Sequence, residues 1–409
     1  MILNIYITVI TLISNQTNGI MKKMTLLLIL GNLASFGPFV TDFYLPCLPK
    51  LADWFSTSTS LVQMSLTASM IGLAVGQLLI GPVADKYGRR RPLLWCLAFF
   101  VVATVGCIVS PKIHWFVFFR LLQGVTGASG LVISKAMVAD LYTGSAMGKF
   151  FAALTAIQFI SPILAPLLGG VIFNLASWQG IFIVLGMWGL LLLCAGSRLS
   201  ETLAVEKRLQ LPIRKSLTAF LPVLRNRRFM VMNLFQAFVS AVFFSYISAS
   251  PFLFQHQFGL SPMNYGFCFA FNAIGLIMGS MLVVRLKQQQ SCLMPGTIGL
   301  LLTCGLTSFA LLAEWPFIVF EVTLFFMIFS CGMLIPIGNT LALDSERENK
   351  GIAAALLGAV AFLFGGLAAP LVGLGNLIYS TVILFMTGAL MALFSWLHAR
   401  QVFNYTEKT

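Results

Sequence analysis

Residues 81–93 read Gly81-Pro82-Val83-Ala84-Asp85-Lys86-Tyr87-Gly88-Arg89-Arg90-Arg91-Pro92-Leu93, a charged turn set between two apolar runs, 61–83 and 92–110. A basic turn accounts for the arginines but not for Gly81, Asp85, Gly88 and Arg89 at their fixed places. Each flanking run approaches or exceeds the roughly 20 apolar residues that cross a bilayer core as a helix. The turn therefore joins two spanning helices, and the chain reads as an all-α polytopic membrane protein.

The rest of the chain agrees. Hydrophobic residues make up 59% of 409 positions and charged residues 9%, with a mean hydropathy of +0.94, too little charge to coat a soluble protein of this length. Hydropathy against charge and Pro/Gly punctuation predicts twelve transmembrane helices at 25–46, 61–83, 92–110, 115–137, 150–173 and 179–197, then 229–254, 264–285, 293–313, 316–341, 351–374 and 377–398. They form two six-helix pseudo-repeat bundles, 25–197 and 229–398, joined by a basic linker, 198–228, and followed by a tail, 399–409. Two such halves suggest a carrier with its substrate between them near the bilayer midplane. Gly275, Gly279 and Arg285 faintly echo Gly76, Gly81 and the basic turn. The segment 1–24 holds an apolar run, Ile2 to Ile13, too short to span. The Met21-Lys22-Lys23-Met24 cluster resembles a natural start, which makes the first twenty residues an expected upstream extension.

A net charge of +13 raises nucleic acid as a partner, but the placement of the charge answers it. With both ends on one face, 21 of the 25 Lys and Arg fall on that face and two, Lys50 and Lys112, on the other. The positive-inside rule then places both termini in the cytoplasm and accounts for the basicity without nucleic acid. Cys47, Cys96, Cys107, Cys194, Cys268, Cys304 and Cys331 lie in or beside apolar runs and Cys292 near a loop, without metal-ligand spacing; they read as small packing residues.

The 81–93 turn resembles the signature loop of the major facilitator superfamily, G-x-L-A-D-[RK]-x-G-R-[RK]-x-x-L, with Val83 in place of Leu. The resemblance implies a latch on the cytoplasmic gate in which Asp85 faces a helix end and Arg89 pairs with an acid near the end of span 4, for which Asp140 is the candidate; Arg90 belongs to the same loop. Span 4 opens Arg120-Leu121-Leu122-Gln123-Gly124, similar to the superfamily motif R-x-x-Q-G, whose Arg is tied to proton coupling. A cation inside a span costs roughly 2.5–3.5 kcal/mol on insertion scales, so Arg120 needs a partner. Gly124, Gly127, Ala128 and Gly130 suit close helix packing. Lys135 to Asp140 resembles the S-[RK]-A-x-x-x-D ending of the Bcr/CflA drug-export branch.

Span 1 ends Thr41-Asp42-Phe43-Tyr44-Leu45-Pro46-Cys47-Leu48-Pro49, resembling that branch's T-D-x-Y-L-P-x-L-P. Asp42 and Arg120 fall at similar depths, so a pair between them is expected. Burial favours a neutral carboxyl and a nearby cation a charged one, so an acid whose partner moves can bind and release a proton. Span 5 carries Ser161, Pro162, Pro166, Gly169 and Gly170. Two prolines bend a helix and two glycines permit tight packing, and the stretch resembles the superfamily's antiporter-helix motif, with Ser161 where Gly is usual. Ser177-Trp178-Gln179-Gly180-Ile181-Phe182 resembles the family's W-R-x-x-F, with Gln179 in place of Arg.

Glu321, about five residues inside span 10, is a further coupling candidate. Tyr44, Gln123, Gln158, Asn233 and Gln236 are candidates for the substrate cavity, although interhelical hydrogen bonding is the commoner use of such amides. His114, His256 and His398 are widely separated, and no nucleophile–base cluster or metal constellation appears; neither an enzyme nor a channel is indicated. The resemblance implies a monomeric inner-membrane carrier that exports small amphipathic or drug-like molecules by alternating access, with protons as the coupled ion, no cofactor beyond the proton gradient, and the lipid bilayer around it. A superfamily carrier for a metabolite or siderophore, exported or imported, is the alternative, and a non-transporting receptor or enzyme a more distant one.

Overall fold

The computed structural model describes residues 19–210, 216, 218–285, 289–346 and 349–406. Among these every regular element is helical. In lipid each backbone N–H and C=O must be satisfied within its own segment, which the helix alone does for an isolated span. The membrane helices are α1 Gly19–Asp42, α2 Thr59–Tyr87, α3 Arg90–Ile108, α4 Ile113–Leu141, Gly144–Ser197, α7 Arg227–Phe252, α8 Pro262–Arg285, α9 Leu293–Leu312, α10 Phe317–Asp344, α11 Lys350–Val372 and α12 Leu377–Thr406. Gly144–Ser197 has 54 residues, or roughly 80 Å, too long for one crossing of a hydrocarbon core about 30 Å thick. Its backbone leaves helical values at Ala176 and at Ser177, where φ is 62°, a left-handed value uncommon outside glycine. It thus turns back as α5 (144–175) and α6 (178–197), for twelve crossings with both chain ends on one face, here the termini face.

Several boundaries differ from expectation. α1 ends at Asp42 rather than 46, because Pro46 and Pro49 divert the chain through a 3₁₀ turn, Leu45–Cys47, into a short helix, Leu48–Trp54. The α5 backbone stays helical through Pro162 and Pro166, and the break falls ten residues beyond, at Ala176. Arg227 and Arg228, expected in the linker, belong to α7, whose first turn is capped where the Asn226 side chain accepts from the Phe229 N–H at 3.2 Å. α12 runs through most of the expected tail, to Thr406. The proposed extension falls largely on residues 1–18, outside the described residues.

Outward faces are apolar. Trp95, Phe99 and Val102 of α3 are 66, 59 and 64% exposed, a contiguous patch that lipid would cover. Inward faces approach through glycine. A Cβ on Gly72, Gly76 or Gly124 would meet the backbone carbonyl of Leu121, Val125 or Ser69, so α2 and α4 touch main chain to main chain. The second half repeats this contact, with Gly279 against the Phe329 carbonyl and Gly332 against that of Leu276, between α8 and α10. The echo in the sequence is therefore Gly72 and Gly76 with Gly275 and Gly279, four residues apart in each pair. Gly81 lies outside it, its nearest neighbour being a Val132 methyl at 4.0 Å.

The halves meet at the face opposite the termini. There Ser60 Oγ donates to the Pro370 carbonyl at 3.4 Å, Gln63 Nε2 to the Ser248 carbonyl at 3.3 Å, and Gln255 Nε2 to the Pro46 carbonyl at 2.9 Å. Gly170 packs on the Pro262 carbonyl and Gly266 on that of Pro166, so α5 and α8 close at the same level. Gly124→Val is expected to lower the thermal unfolding midpoint in detergent by the equivalent of about 1–3 kcal/mol. Gly305→Ala on α9, where a Cβ meets open space, should leave it unchanged; equal effects would sink the main-chain-contact account.

Candidate functional site

Arg120 is the largest fully buried side chain, with 0% exposure. Its Nη1 donates to Gln123 Oε1 at 2.8 Å and its Nη2 to the Val40 carbonyl of α1 at 3.3 Å. The guanidinium carbon lies 4.0 Å from the centre of the Tyr44 ring and 5.7 Å from that of Phe182. Desolvated cation–π contacts of this kind are worth about 2 kcal/mol. The partners are themselves held: Gln123 Nε2 donates to Thr104 Oγ1 at 2.7 Å, and the Tyr44 and Ser65 hydroxyls are 3.1 Å apart. Arg120 thus lies in a neutral box drawn from α1, α2, α3, α4 and α6.

The expected Asp42–Arg120 pair is absent. Asp42, 6% exposed, accepts from Thr41 Oγ1 at 3.0 Å. Arg120 takes the Val40 main-chain carbonyl of α1, and the Asp42 carboxylate has no ion pair among the described residues. It lies instead within electrostatic range of Tyr265, on α8 of the other half. Tyr44 and Gln123, expected at the substrate cavity, are both fully buried and committed to the box. Gln158 Nε2 donates to the Ala34 carbonyl at 2.9 Å, tying α5 to α1. Asn233 and Gln236 are buried on α7 at 1 and 5% exposure; both Asn233 amide atoms and Gln236 Oε1 lack a hydrogen-bond partner among the described residues.

In the antiporter-helix stretch, Pro162 is half-buried and Pro166 buried. Gly169 packs on the Phe43 carbonyl and Gly170 on α8, so this stretch bears on both the end of α1 and the opposite half. Glu321 of α10, 8% exposed, accepts from Asn272 Nδ2 at 3.0 Å.

At the termini face, Arg89 Nε donates to Asp140 Oδ2 at 2.9 Å and its Nη2 to Asp140 Oδ1 at 3.4 Å, a forked pair. Arg89 also pairs with Asp85, one turn earlier. Asp85 therefore does not serve a helix end, as the resemblance implied. That place is taken by Glu201 of the linker, whose carboxylate accepts from the backbone N–H groups of Arg89 at 2.8 Å and Arg90 at 3.2 Å, at the start of α3, and of Leu203 at 3.0 Å. Gly88, at φ 91°, has no room for a Cβ against this carboxylate. Arg90 reaches the Ser197 carbonyl, Thr202 Oγ1 donates to Asp140 Oδ2 at 2.9 Å, and the Leu209 N–H donates to the Asp85 carbonyl at 2.9 Å. The linker's first segment is thus strapped across the 81–93 turn. The sequence signalled the need, since α3 has no acid in its first turn, but not that the cap comes from 112 positions away.

Partial burial pushes the Glu201 carboxyl up, but backbone donors from Arg89, Leu203, Arg90 and Thr202 outweigh it and hold it below the usual range. A depressed folded-state value means that the cap's contribution is present above the ordinary Glu pKa of about 4.3 and is lost as pH falls through the lower folded value. Glu201→Ala is expected to speed amide hydrogen exchange about fivefold in residues 88–91 and 202–209, matching about 1 kcal/mol for a lost cap. Wild-type protection, corrected for intrinsic exchange, should hold from about pH 7 to about pH 5. Unchanged exchange in the variant would refute the strap.

Against this geometry, residues 27–370 match the Major Facilitator Superfamily. An uncharacterized MFS-type transporter of Bacillus subtilis, YdgK, is 37% identical over 87% of this chain and 90% of its own length. A bicyclomycin resistance protein homolog of Haemophilus influenzae is 26% identical over 89% of this chain and 92% of its own. Multidrug resistance protein D of Escherichia coli is 26% identical over 86% and 89%. Among solved structures, a D-xylose–proton symporter superposes with a TM-score of 0.72 at 17% identity, covering 93% of this chain and 98% of its own. A bacterial homolog of the lysosomal transporter Spinster, inward-facing and unoccupied, also scores 0.72 at 16% identity, covering 92% and 96%. With its twelve crossings, its strapped 81–93 turn and a match over most of its length, the chain belongs to the Major Facilitator Superfamily, a family of transporters.

Proposed function

We propose that the protein exports small amphipathic or drug-like molecules across a bacterial inner membrane in exchange for protons, with Asp42 as the coupling acid and Arg120 as the fixed cation beside it. The observation that carries the reading is that Asp42 is buried, 6% exposed, with Thr41 as its hydrogen-bond partner and no ion pair among the described residues. Arg120 is held at both Nη atoms by neutral partners, and Asp42 lies within electrostatic range of Tyr265 of the second half. A carboxyl locked to an arginine keeps its charge through a cycle; one released from it is free to exchange a proton. The relatives' names, bicyclomycin resistance and multidrug resistance, support the substrate class.

The charge bias puts the termini face in the cytoplasm, so the α2–α11 and α5–α8 contacts form the periplasmic closure. Outward opening must separate Ser60 from Pro370, Gln63 from Ser248 and Gln255 from Pro46. It also moves α8, with Tyr265, away from Asp42. Proton entry is then favoured by about 2.3 kcal/mol per charge at 100 mV, before any pH gradient. The carrier works as a monomer, each copy holding a complete pathway between its halves.

The test is drug-driven proton release from inverted vesicles energised by respiration, comparing wild type, Asp42→Asn and a vector control. A drug-dependent rise in lumenal pH in the wild type alone is expected. Wild-type behaviour in Asp42→Asn would remove Asp42 as the coupling acid. Silence across a broad panel, in well-expressed protein, would remove drug:proton exchange.

A further inference from the structure

The second half holds a polar cluster that the exchange reading does not use. Glu321 of α10, Asn272 of α8 and Tyr246 of α7 are 8, 0 and 2% exposed. Asn272 Nδ2 donates to Glu321 Oε1 at 3.0 Å and fixes one edge of the carboxyl. The other oxygen, Glu321 Oε2, the amide oxygen Asn272 Oδ1 and the Tyr246 hydroxyl are all buried, with no hydrogen-bond partner among the described residues. Two of these three atoms can only accept, and the Tyr246 hydroxyl lies within electrostatic range of Glu321. The Tyr246 hydroxyl, which interacts with Asn272, can donate to one of the two acceptors, so the other is left without a proton.

No cation supplies one. Among the described residues Glu321 forms no ion pair. The titratable groups around it are Tyr246 from α7 and Cys268 from α8; on α9, Cys304 interacts with Cys331 rather than with Glu321. A lone buried carboxylate costs several kcal/mol. A single proton on Oε2 removes the charge and the deficit together. A carboxylic acid and a primary amide close a two-bond ring, Nδ2–H to Oε1 and Oε2–H to Oδ1.

We propose that Glu321, Asn272 and Tyr246 form a second proton-binding site, in the half opposite Asp42, with the exchangeable proton on Glu321 Oε2. A hydronium ion gives its proton to Oε2 and leaves as water, and the reverse step discharges the site; no other reactant is needed. The surroundings provide a gate. The rings of Phe254, Phe258, Phe317 and Phe320 pack together at this end of the half, with Phe258 and Phe320 5.1 Å apart. Two of them border or belong to the π-helical turn Leu253–Gln257 that ends α7, a kind of irregularity frequent at functional sites. From that same turn Gln255 holds Pro46 of the first half. Parting of the halves therefore frees a turn whose Phe254, with the adjoining Phe258, packs on Phe320, the residue preceding Glu321.

The test needs no transport substrate, so its failure is separable from failure of the exchange reading. Infrared spectra of the full chain in liposomes, taken against pH and in heavy water, should show a neutral carboxylic-acid carbonyl band that Glu321→Gln abolishes and Asp42→Asn retains. Asn272→Leu, which keeps the acid but breaks the ring, should shift that band, and it carries the test if Glu321→Gln fails to fold. Identical acid bands in wild type and Glu321→Gln at every pH would overturn the proposal. So would an unshifted band in Asn272→Leu.

Discussion

A guanidinium held in the apolar core of the first half governs the arrangement around it. Burying Arg120 costs roughly 2.5–3.5 kcal/mol on insertion scales. Its two hydrogen bonds, each worth roughly 1.5–3 kcal/mol for a charged donor, and the Tyr44 face work against this cost, with Nε left without a hydrogen-bond partner among the described residues, and only while five helices keep their places. α1 must present the Val40 carbonyl, α3 must orient Gln123 through Thr104, α2 must steady Tyr44 through Ser65, and α6 must bring Phe182. The tight turn at Ala176 and Ser177 matters for the same reason, since it returns the chain into the membrane with Phe182 facing the box. An acid in the box would have satisfied Arg120 more simply, yet would have fixed its own charge.

The two faces of the molecule are closed by different means. At the face opposite the termini the halves touch through glycines and side-chain-to-carbonyl bonds, contacts that are short-ranged and separable without stranding a charge. At the termini face the ion pairs lie within the first half and its linker, where Arg89 joins Asp85 and Asp140 while Glu201 and Thr202 add the strap. Charged networks there stiffen one half as a body, and the uncharged clasp leaves the two bodies free to rock. That division of labour suits alternating access between rigid bundles.

How much of this could be read from the chain follows from the range of each interaction. The twelve crossings were legible because hydropathy and positive-inside charge are local or additive properties. Gly124 and Gly130 announced close packing because a small residue inside a span has few other uses. The Arg89–Asp140 contact followed from a motif. What escaped depends on rotation about a helix axis or on distant chain. Asp42 and Val40 are two positions apart, and Arg120 takes the main-chain carbonyl of one rather than the carboxylate of the other, a choice that hydropathy and charge do not record. Gln123 and Tyr44 looked like cavity groups because polarity inside a span does not say which way it points. The prolines of α5 suggested a kink, but the backbone keeps helical dihedrals through both and leaves them at Ala176 and Ser177.

The relation between the two halves carries the argument one step further. Both use a glycine pair to bring their second and fourth helices into main-chain contact, which marks a common plan, yet their buried polar groups differ in kind. The first half buries a cation with neutral partners and keeps its acid apart. The second buries an acid with neutral partners and no cation. A net charge in lipid is tolerated only when it is distributed or neutralised. The first half distributes it over two rings and two hydrogen bonds, whereas the second gives the Glu321 carboxyl a single hydrogen bond, from Asn272, and no cation among the described residues. The asymmetry therefore bears on what each half can exchange with water: a guanidinium keeps its proton through a cycle, whereas a buried carboxyl with no cation beside it and one oxygen unpartnered among the described residues is neutralised by a single proton.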